Sequence, residues 1–480
     1  MRSLPKQTQA WRPIVSHRNH RFPSSQVEAF LHSFAQAPGL PFADVLDARL
    51  VERTLTEFGA VGRDSTYTPA VTLSLFVGQA IDPDPSLRRA VARLLEQRRS
   101  RGLPACSLNT GGYCVARQHL PEAVLKDLAC TVGTNVLNDA LPRWNWRGRD
   151  VKIADGSTLS MPDTPANQAV YPQASTQKPG LGFPIMRFVV LFSLAVGTVL
   201  AAAYGPYQGK ETGETALFRT LHPHLNEGDI LLADRYFCSY FEIALLQQQG
   251  VDVVCRLHQC RHVDFRDGRR LGSGDRLVTW SKPARPAWMD KATYRQLPEQ
   301  LTVRLLRIRV PRHVRNVRSR HIDLATTLLD ADTFPKQAIA ELYGERWHGE
   351  LDLRSIKCVL QMDILRGKTP AMVQKELWAH LLAYNLIRKV MAQAAQTHAV
   401  VPRVISFKGT MQTLLAFAPL LERAPATRLL HEIAVLFNAI VTHRVGHRPG
   451  RLEPRRKKRR PKPYPLLRKP RWLARRDEVA

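Results

Sequence analysis

Residues Glu341–Gln361 read ELYGERWHGELDLRSIKCVLQ, a stretch with no proline and a helical periodicity. At about 100° per residue, Arg346, Glu350 and Lys357 fall roughly 60°, 20° and 40° to one side of Tyr343, so the four share one narrow face of a helix. That face sets a carboxylate among a guanidinium, an ammonium and a phenol. A stripe of this kind on an otherwise inward side predicts a polar site rather than a solvated surface.

Two aspartates elsewhere give the stripe its partners. Asp155 closes the alternating segment DVKIAD, and Asp234 closes NEGDILLAD. Each follows apolar residues that suit a buried strand. A carboxylate just beyond such a strand is held rigidly at the sheet edge. If the two strands are neighbours and the helix packs on them, Asp155, Asp234 and Glu350 converge. Three carboxylates that close repel one another unless a cation lies among them. Hard oxygen donors select magnesium or manganese, and two such ions can activate a water or a 3′ hydroxyl in phosphoryl transfer.

The rest of the chain agrees with a polyanionic partner. Its 480 residues carry 70 Lys and Arg against 41 acids, a formal charge of +29. Nucleic acid is the partner such a balance favours, ahead of an anionic membrane. Ser86 can cap a helix over LRRAVARLLEQRRS, whose Arg88, Arg89 and Arg93 suit phosphate contact. The last thirty residues, 451–480, hold 13 basic residues against 3 acids, and their cluster RRKKRRPKP cannot form a core. Seven scattered cysteines with no CxxC pair exclude a disulfide framework and fit a reducing cytosol. The opening MRSLPKQTQAWRP lacks the apolar core of a signal peptide. The 16-residue apolar run Phe188–Ala203 is short for a membrane span and reads as two adjacent strands around Gly197-Thr198.

Tyr343, Arg346, Glu350 and Lys357 keep every spacing of the Y-x2-R-x3-E-x6-K signature. With ADGSTLSMPDTPAN and LLADRYF around the aspartates, the chain resembles the DDE transposases of the IS-four insertion-sequence family, over roughly 65 to 395. The resemblance implies an α/β (α+β) fold: an RNase H-like catalytic core interrupted by a mostly β insertion, with helical N-terminal and C-terminal regions. The 79 residues from Asp155 to Asp234 and the 116 from there to Glu350 leave room for that insertion in the second gap. The expected domains are a helical DNA-binding region at 1–145, the first part of the core at 146–258 and the β-rich insertion at 259–320. The second part of the core follows at 321–368, then a helical C-terminal region at 369–445 and a basic, disordered tail at 446–480.

The resemblance also assigns roles. Asp155, Asp234 and Glu350 become the catalytic metal ligands for magnesium or manganese, as two ions. Tyr343, Arg346 and Lys357 become phosphate contacts near the cleaved end, with Arg235 and Trp347 beside them. Trp280, at the end of the strand DRLVTW in the insertion, is the candidate platform for a flipped base, and Trp288 is its rival. The implied activity is cut-and-paste transposition at terminal inverted repeats, through a hairpin intermediate, by a homodimer. Its setting is the bacterial cytoplasm, on nucleoid DNA, with no membrane attachment. Two other readings use the same acids. An RNase H-like nuclease or resolvase does not account for Tyr343, Arg346 and Lys357 at these spacings. A catalytically inactive DNA-binding relative does not account for three intact acids.

Overall fold

A computed structural model describes residues 46, 48–60, 66–100, 102–258, 260–261, 263–309, 320–446, 467–470 and 473. The basic cluster RRKKRRPKP, on which the expectation of a disordered tail rests, lies outside the described residues.

The apolar run Phe188–Ala203 forms a hairpin. Strand β2 (Ile185–Ser193) pairs antiparallel with β3 (Val199–Pro206), and Gly197 turns the chain between them. Strand β2 is buried along most of its length and β3 over its first half, because the sheet is covered on both faces. Strand β1 (Val151–Ser160) lies on the other side of β2, antiparallel to it. Strands β4 (Ile230–Ala233) and β5 (Asp252–Arg256) follow, parallel to β1 and to each other. The helix Tyr240–Gln248 makes the crossover between β4 and β5, capped by Ser239 and ended at Gly250, whose φ is +72°. The order β3-β2-β1-β4-β5, with its antiparallel hairpin and two parallel strands, is that of an RNase H-like core.

The stretch after β5 extends this sheet instead of leaving it. Strand β6 (Arg269–Gly272), β7 (Asp275–Ser281) and β8 (Gln300–Arg309) join through β9 (His321–Thr326), which pairs antiparallel with β5. The result is one nine-stranded sheet in the order β3-β2-β1-β4-β5-β9-β8-β7-β6. A short helix, Lys291–Gln296, connects β7 to β8. Buried Arg304 of β8 pairs with Asp275 of β7 and donates to the carbonyls of Leu328, Asp330 and Phe334. It thereby fixes the turn that launches the helix Lys336–Gly344.

Helices cover the sheet. Thr369 caps and Pro370 opens the helix Pro370–Thr397, apolar on nearly every side and buried along most of its length. It packs against Glu122–Asn138 and Pro69–Ile81 from the N-terminal half. Its few buried polar groups are all engaged. Asn385 bonds Ala129 O and Val199 N and O, and Glu376 accepts from Arg366 N and Gly367 N. Among the described residues no helix is long and apolar enough to cross a membrane, and all seven cysteines are free thiols.

Candidate active site

Asp155 does not end its strand, contrary to the reading of the sequence. Strand β1 continues to Ser160, paired with β2 along its whole length. Its pairing with β4 stops at Ile153↔Leu232, because β4 ends at Ala233 and Asp234 caps a short 3-10 turn, Arg235–Phe237. Extending that register by two residues places Asp155 beside Asp234, on strands about 4.8 Å apart. The two aspartates therefore stand on adjacent stretches of chain where the sheet opens, and the Asp234 charge reaches Asp155.

The helix that faces them is also not the single helix expected. The backbone turns at Glu345 and Arg346, restarts as Trp347–Arg354, and widens into a π turn over Ser355–Val359. The wider turn carries fewer degrees per residue and swings Lys357 off the ideal wheel. Its Nζ donates instead to Ser157 Oγ at 2.9 Å and Thr158 O at 2.8 Å, further along β1. Arg346 stays with the acids. Its guanidinium lies 3.1 Å from Glu350 Oε1 and 3.9 Å from Asp155 Oδ2.

Gly349 makes this approach possible. A Cβ there would stand 2.9 Å from Ile153 Cγ2 and 3.4 Å from Asp155 Oδ2, so the helix rests its bare backbone on β1. One turn further on, fully buried Asp352 anchors the same helix. It accepts from Arg388 of the long C-terminal helix and from Arg403 Nη1, at 2.7 Å to Oδ2. Arg403 also donates to the carbonyls of Ser193 and Leu194, where β2 turns. The helix that carries Glu350 is thus tied at once to the C-terminal helices and to the β2–β3 hairpin. No local pattern announces Gly349 or Asp352, since their partners are 36 to 196 positions away in sequence.

The electrostatics follow from this enclosure. Burial pushes the Asp155 carboxyl up to about 6, Arg346 and the Gly156 N–H oppose that, and Glu350 and Asp234 add to it. Its Oδ2 is buried without a hydrogen-bond partner among the described residues. Burial works against the charge of Arg346, but Tyr343, Asp155, Asp234 and Glu350 outweigh it and leave its pKa raised. Burial also pushes the Tyr343 phenol well above its ordinary value and draws Lys357 down. Among the described residues no three His, Cys, Asp or Glu side chains enclose a common point; the Arg346 guanidinium bridges Asp155 and Glu350.

The other expected contacts are dispersed. Arg235 lies 4.0 Å from Asp234 and is 30% exposed, while Tyr236 and Trp347 stand out at 61% and 53% exposure. Trp280 is half-buried, with the Arg261 guanidinium 3.8 Å over its ring, so one face of the expected stacking platform is covered. Trp288 is likewise half-buried beneath Arg219, with Phe241 at its edge. On the helix Leu87–Ser100, Arg88 and Arg89 are exposed. Arg93 is drawn inward to Asp82 at 2.6 Å, because that aspartate is buried and needs a cation.

Comparison with known proteins identifies the family. The family described as Transposase DDE domain matches residues 146–386, half of the chain and the span holding all three acids. The transposase InsG for insertion sequence element IS4 of Escherichia coli (strain K12) is 29% identical over 448 residues, 89% of this chain and 94% of that protein. The putative transposase InsZ of the same organism is 30% identical over 107 residues, 22% of this chain and 35% of that one. A cryo-EM structure of the piggyBac transposase synaptic complex with hairpin DNA aligns with a TM-score of 0.41 at 11% identity, over 85% of this chain and 84% of that one, a likeness too loose to add to the fold. A sheet that opens between Asp155 and Asp234, a helix laid across them and the matching span lead to one conclusion: the chain belongs to the DDE transposase family, and is of the IS4 type.

Proposed function

We propose that this transposase binds the terminal inverted repeats of an insertion sequence as a homodimer, cleaves DNA there and joins it to a target. In this reading Asp155, Asp234 and Glu350 hold two magnesium or manganese ions, and DNA is released through a hairpin intermediate. Its place of action is the bacterial cytoplasm, on nucleoid DNA. The observation that carries the reading is the arrangement of Asp155 and Asp234 at the opening of the sheet, with Arg346 and Glu350 laid over them.

The residues suit the cations. All three are carboxylates, the donors hard cations take, and the buried Oδ2 of Asp155 has no hydrogen-bond partner of its own. When bound, the ions supply activation of a water or 3′ hydroxyl and stabilisation of the leaving oxygen. The chain does the rest. Arg346, a fixed cation among the acids, meets the phosphate charge that develops at the scissile bond. Tyr343 keeps its proton, because burial raises its pKa, and so donates an O–H to a phosphate oxygen. Lys357, braced on Ser157 and Thr158, holds the next phosphate along β1. Trp280, half-buried under Arg261, and Arg235, Arg88 and Arg89, at the surface, contact the DNA further out.

The test uses duplexes carrying the repeats that flank the gene, incubated with magnesium. Asp155→Asn, Asp234→Asn and Glu350→Gln each lose cleavage and joining while retaining repeat binding in a gel shift. A variant that cleaves at the full rate removes its residue from the site. Cleavage by the wild type without any joined product would favour a simple nuclease.

A further inference from the structure

The turn that begins at Asp234 ends on a thiol, and that thiol has a partner. Asp234 caps the 3-10 turn Arg235–Phe237, and Cys238 closes it, its N–H donating to Arg235 O at 3.1 Å. Cys255 stands on β5, where it pairs with Ala233 of β4, the residue before Asp234, and with Ala325 of β9. The chain leaves β4 at Asp234, makes one turn and returns against β5. The Cys238 and Cys255 side chains are both buried, at 3% and 0% exposure, and are hydrogen-bonded to each other. Both are free thiols.

The bond between them has a direction. Cys255 gives its S–H to Cys238, which holds Cys238 below the ordinary thiol range and Cys255 well above it. The His258 N–H and the Arg261 charge also favour a thiolate at Cys238, against the effect of burial. An attacking sulfur thus lies beside a resolving one. The pair is close to solvent although it is covered. Tyr236, two residues before Cys238, is 61% exposed, and Arg235 is 30% exposed. Opening of one short turn admits an oxidant the size of water and excludes a bulky one. Closing the contact to an S–S bond of about 2.05 Å requires one side to move. Strand β5 is held between β4 and β9. The turn is a single one, closed by Phe237 N to Asp234 O and Cys238 N to Arg235 O. The turn therefore yields, and it takes Asp234 with it.

We propose that Cys238 and Cys255 form a peroxide-reactive thiol pair, whose disulfide stops cleavage by displacing Asp234. The Cys238 sulfur attacks one oxygen of the peroxide. The O–O bond breaks, the far oxygen leaves as water with the thiol proton, and Cys238 becomes a sulfenic acid. The Cys255 sulfur then attacks Cys238 Sγ. The S–S bond forms, the S–O bond breaks, and the second oxygen leaves as water with the Cys255 proton. Two thiols have lost two electrons to one peroxide, and exchange with a small thiol reverses the change. In a reducing compartment the disulfide is transient, so the block lasts only while peroxide persists. The loss of cleavage rests on the functional reading of Asp234; formation of the disulfide does not.

The full chain, reduced and then freed of reductant, is exposed to hydrogen peroxide, and a portion is afterwards treated with dithiothreitol. Peptide mass spectrometry after blocking of free thiols reads the disulfide. Single-turnover cleavage of a repeat-bearing duplex with magnesium reads the activity. Cys238→Ala and Cys255→Ala are treated alongside, with melting temperatures. The expected result is a linked Cys238–Cys255 peptide pair, a fall in cleavage on the order of 100-fold, as for a displacement near 1 Å at reacting groups, and recovery in dithiothreitol. Both variants should keep cleaving in peroxide. The wild-type disulfide and its reversal decide the outcome even where a variant melts early. Absence of the linked peptide from the folded wild type overturns the pair. A linked peptide with undiminished cleavage overturns its action on Asp234. A linked peptide in a chain that cleaves in neither state overturns the functional reading, and the block with it, while the thiol pair stands.

Discussion

Replacing Gly349 with alanine tests how closely the helix that carries Glu350 must sit on β1. The added methyl carbon would lie 2.9 Å from Ile153 Cγ2 and 3.5 Å from Asp155 Cβ. Comfortable carbon–carbon contact is about 3.5–4.0 Å, so the helix must lift by roughly 0.6–1 Å. Ile153 cannot yield easily, because it is fully buried and β-branched at the contact. Overpacking of this kind costs about 1–3 kcal/mol of stability. The larger effect falls on chemistry, because Arg346 and Glu350 ride on the same backbone. A displacement near 1 Å at reacting groups costs on the order of 100-fold in rate. The assay is single-turnover cleavage of a repeat-bearing duplex at saturating protein, with thermal melting alongside. Repeat binding should change little, since the surfaces that hold the duplex are untouched. Ile153→Ala removes the obstructing methyl, so the double variant Gly349→Ala with Ile153→Ala should cleave faster than Gly349→Ala alone, a coupling that a double-mutant cycle reads directly. Wild-type cleavage by Gly349→Ala, or simple additivity in the cycle, would refute the close-approach account.

Three further outcomes are expected. If Asp155 is a metal ligand it binds in its ionised form, and without metal, burial holds its carboxyl up to about 6, so divalent-metal affinity should fall as the pH drops through that region, and Asp155→Asn should remove cleavage at every pH. The sign for stability is opposite. A carboxyl raised above its unfolded value near 3.8 contributes stability present below 3.8 and lost as pH rises through about 6, so without added metal Asp155→Asn should melt higher than wild type at pH 8; an equal or lower melting temperature would contradict the burial argument. Asp352→Ala leaves Arg388 and Arg403 buried without their carboxylate, and should cost about 3–5 kcal/mol in chemical denaturation. A loss under about 1 kcal/mol would show that solvent or the neighbouring carbonyls replace it.

What the sequence determined by itself was the list of parts. The spacing of Tyr343, Arg346, Glu350 and Lys357, and the apolar strands before Asp155 and Asp234, were legible because they follow from local periodicity. The division of Phe188–Ala203 into a hairpin was legible for the same reason, since Gly197 and Thr198 interrupt a run too short to span a bilayer. Local periodicity also set the errors. It assumed an unbroken helix and so kept Lys357 with the acids, whereas a π turn directs it to Ser157 and Thr158. It ended β1 at Asp155, whereas the pairing of β2 carries the strand five residues further while β4 falls short. Arg93 read as a phosphate ligand because its partner, Asp82, belongs to the preceding turn and shows its burial only in the folded chain. The tertiary structure alone decided that Gly349 rests on Ile153 and that Asp352 is clamped by Arg388 and Arg403. Those relations join residues from tens to about two hundred positions apart. Packing and the pairing of buried charge fix them, and neither leaves a periodic trace in the chain.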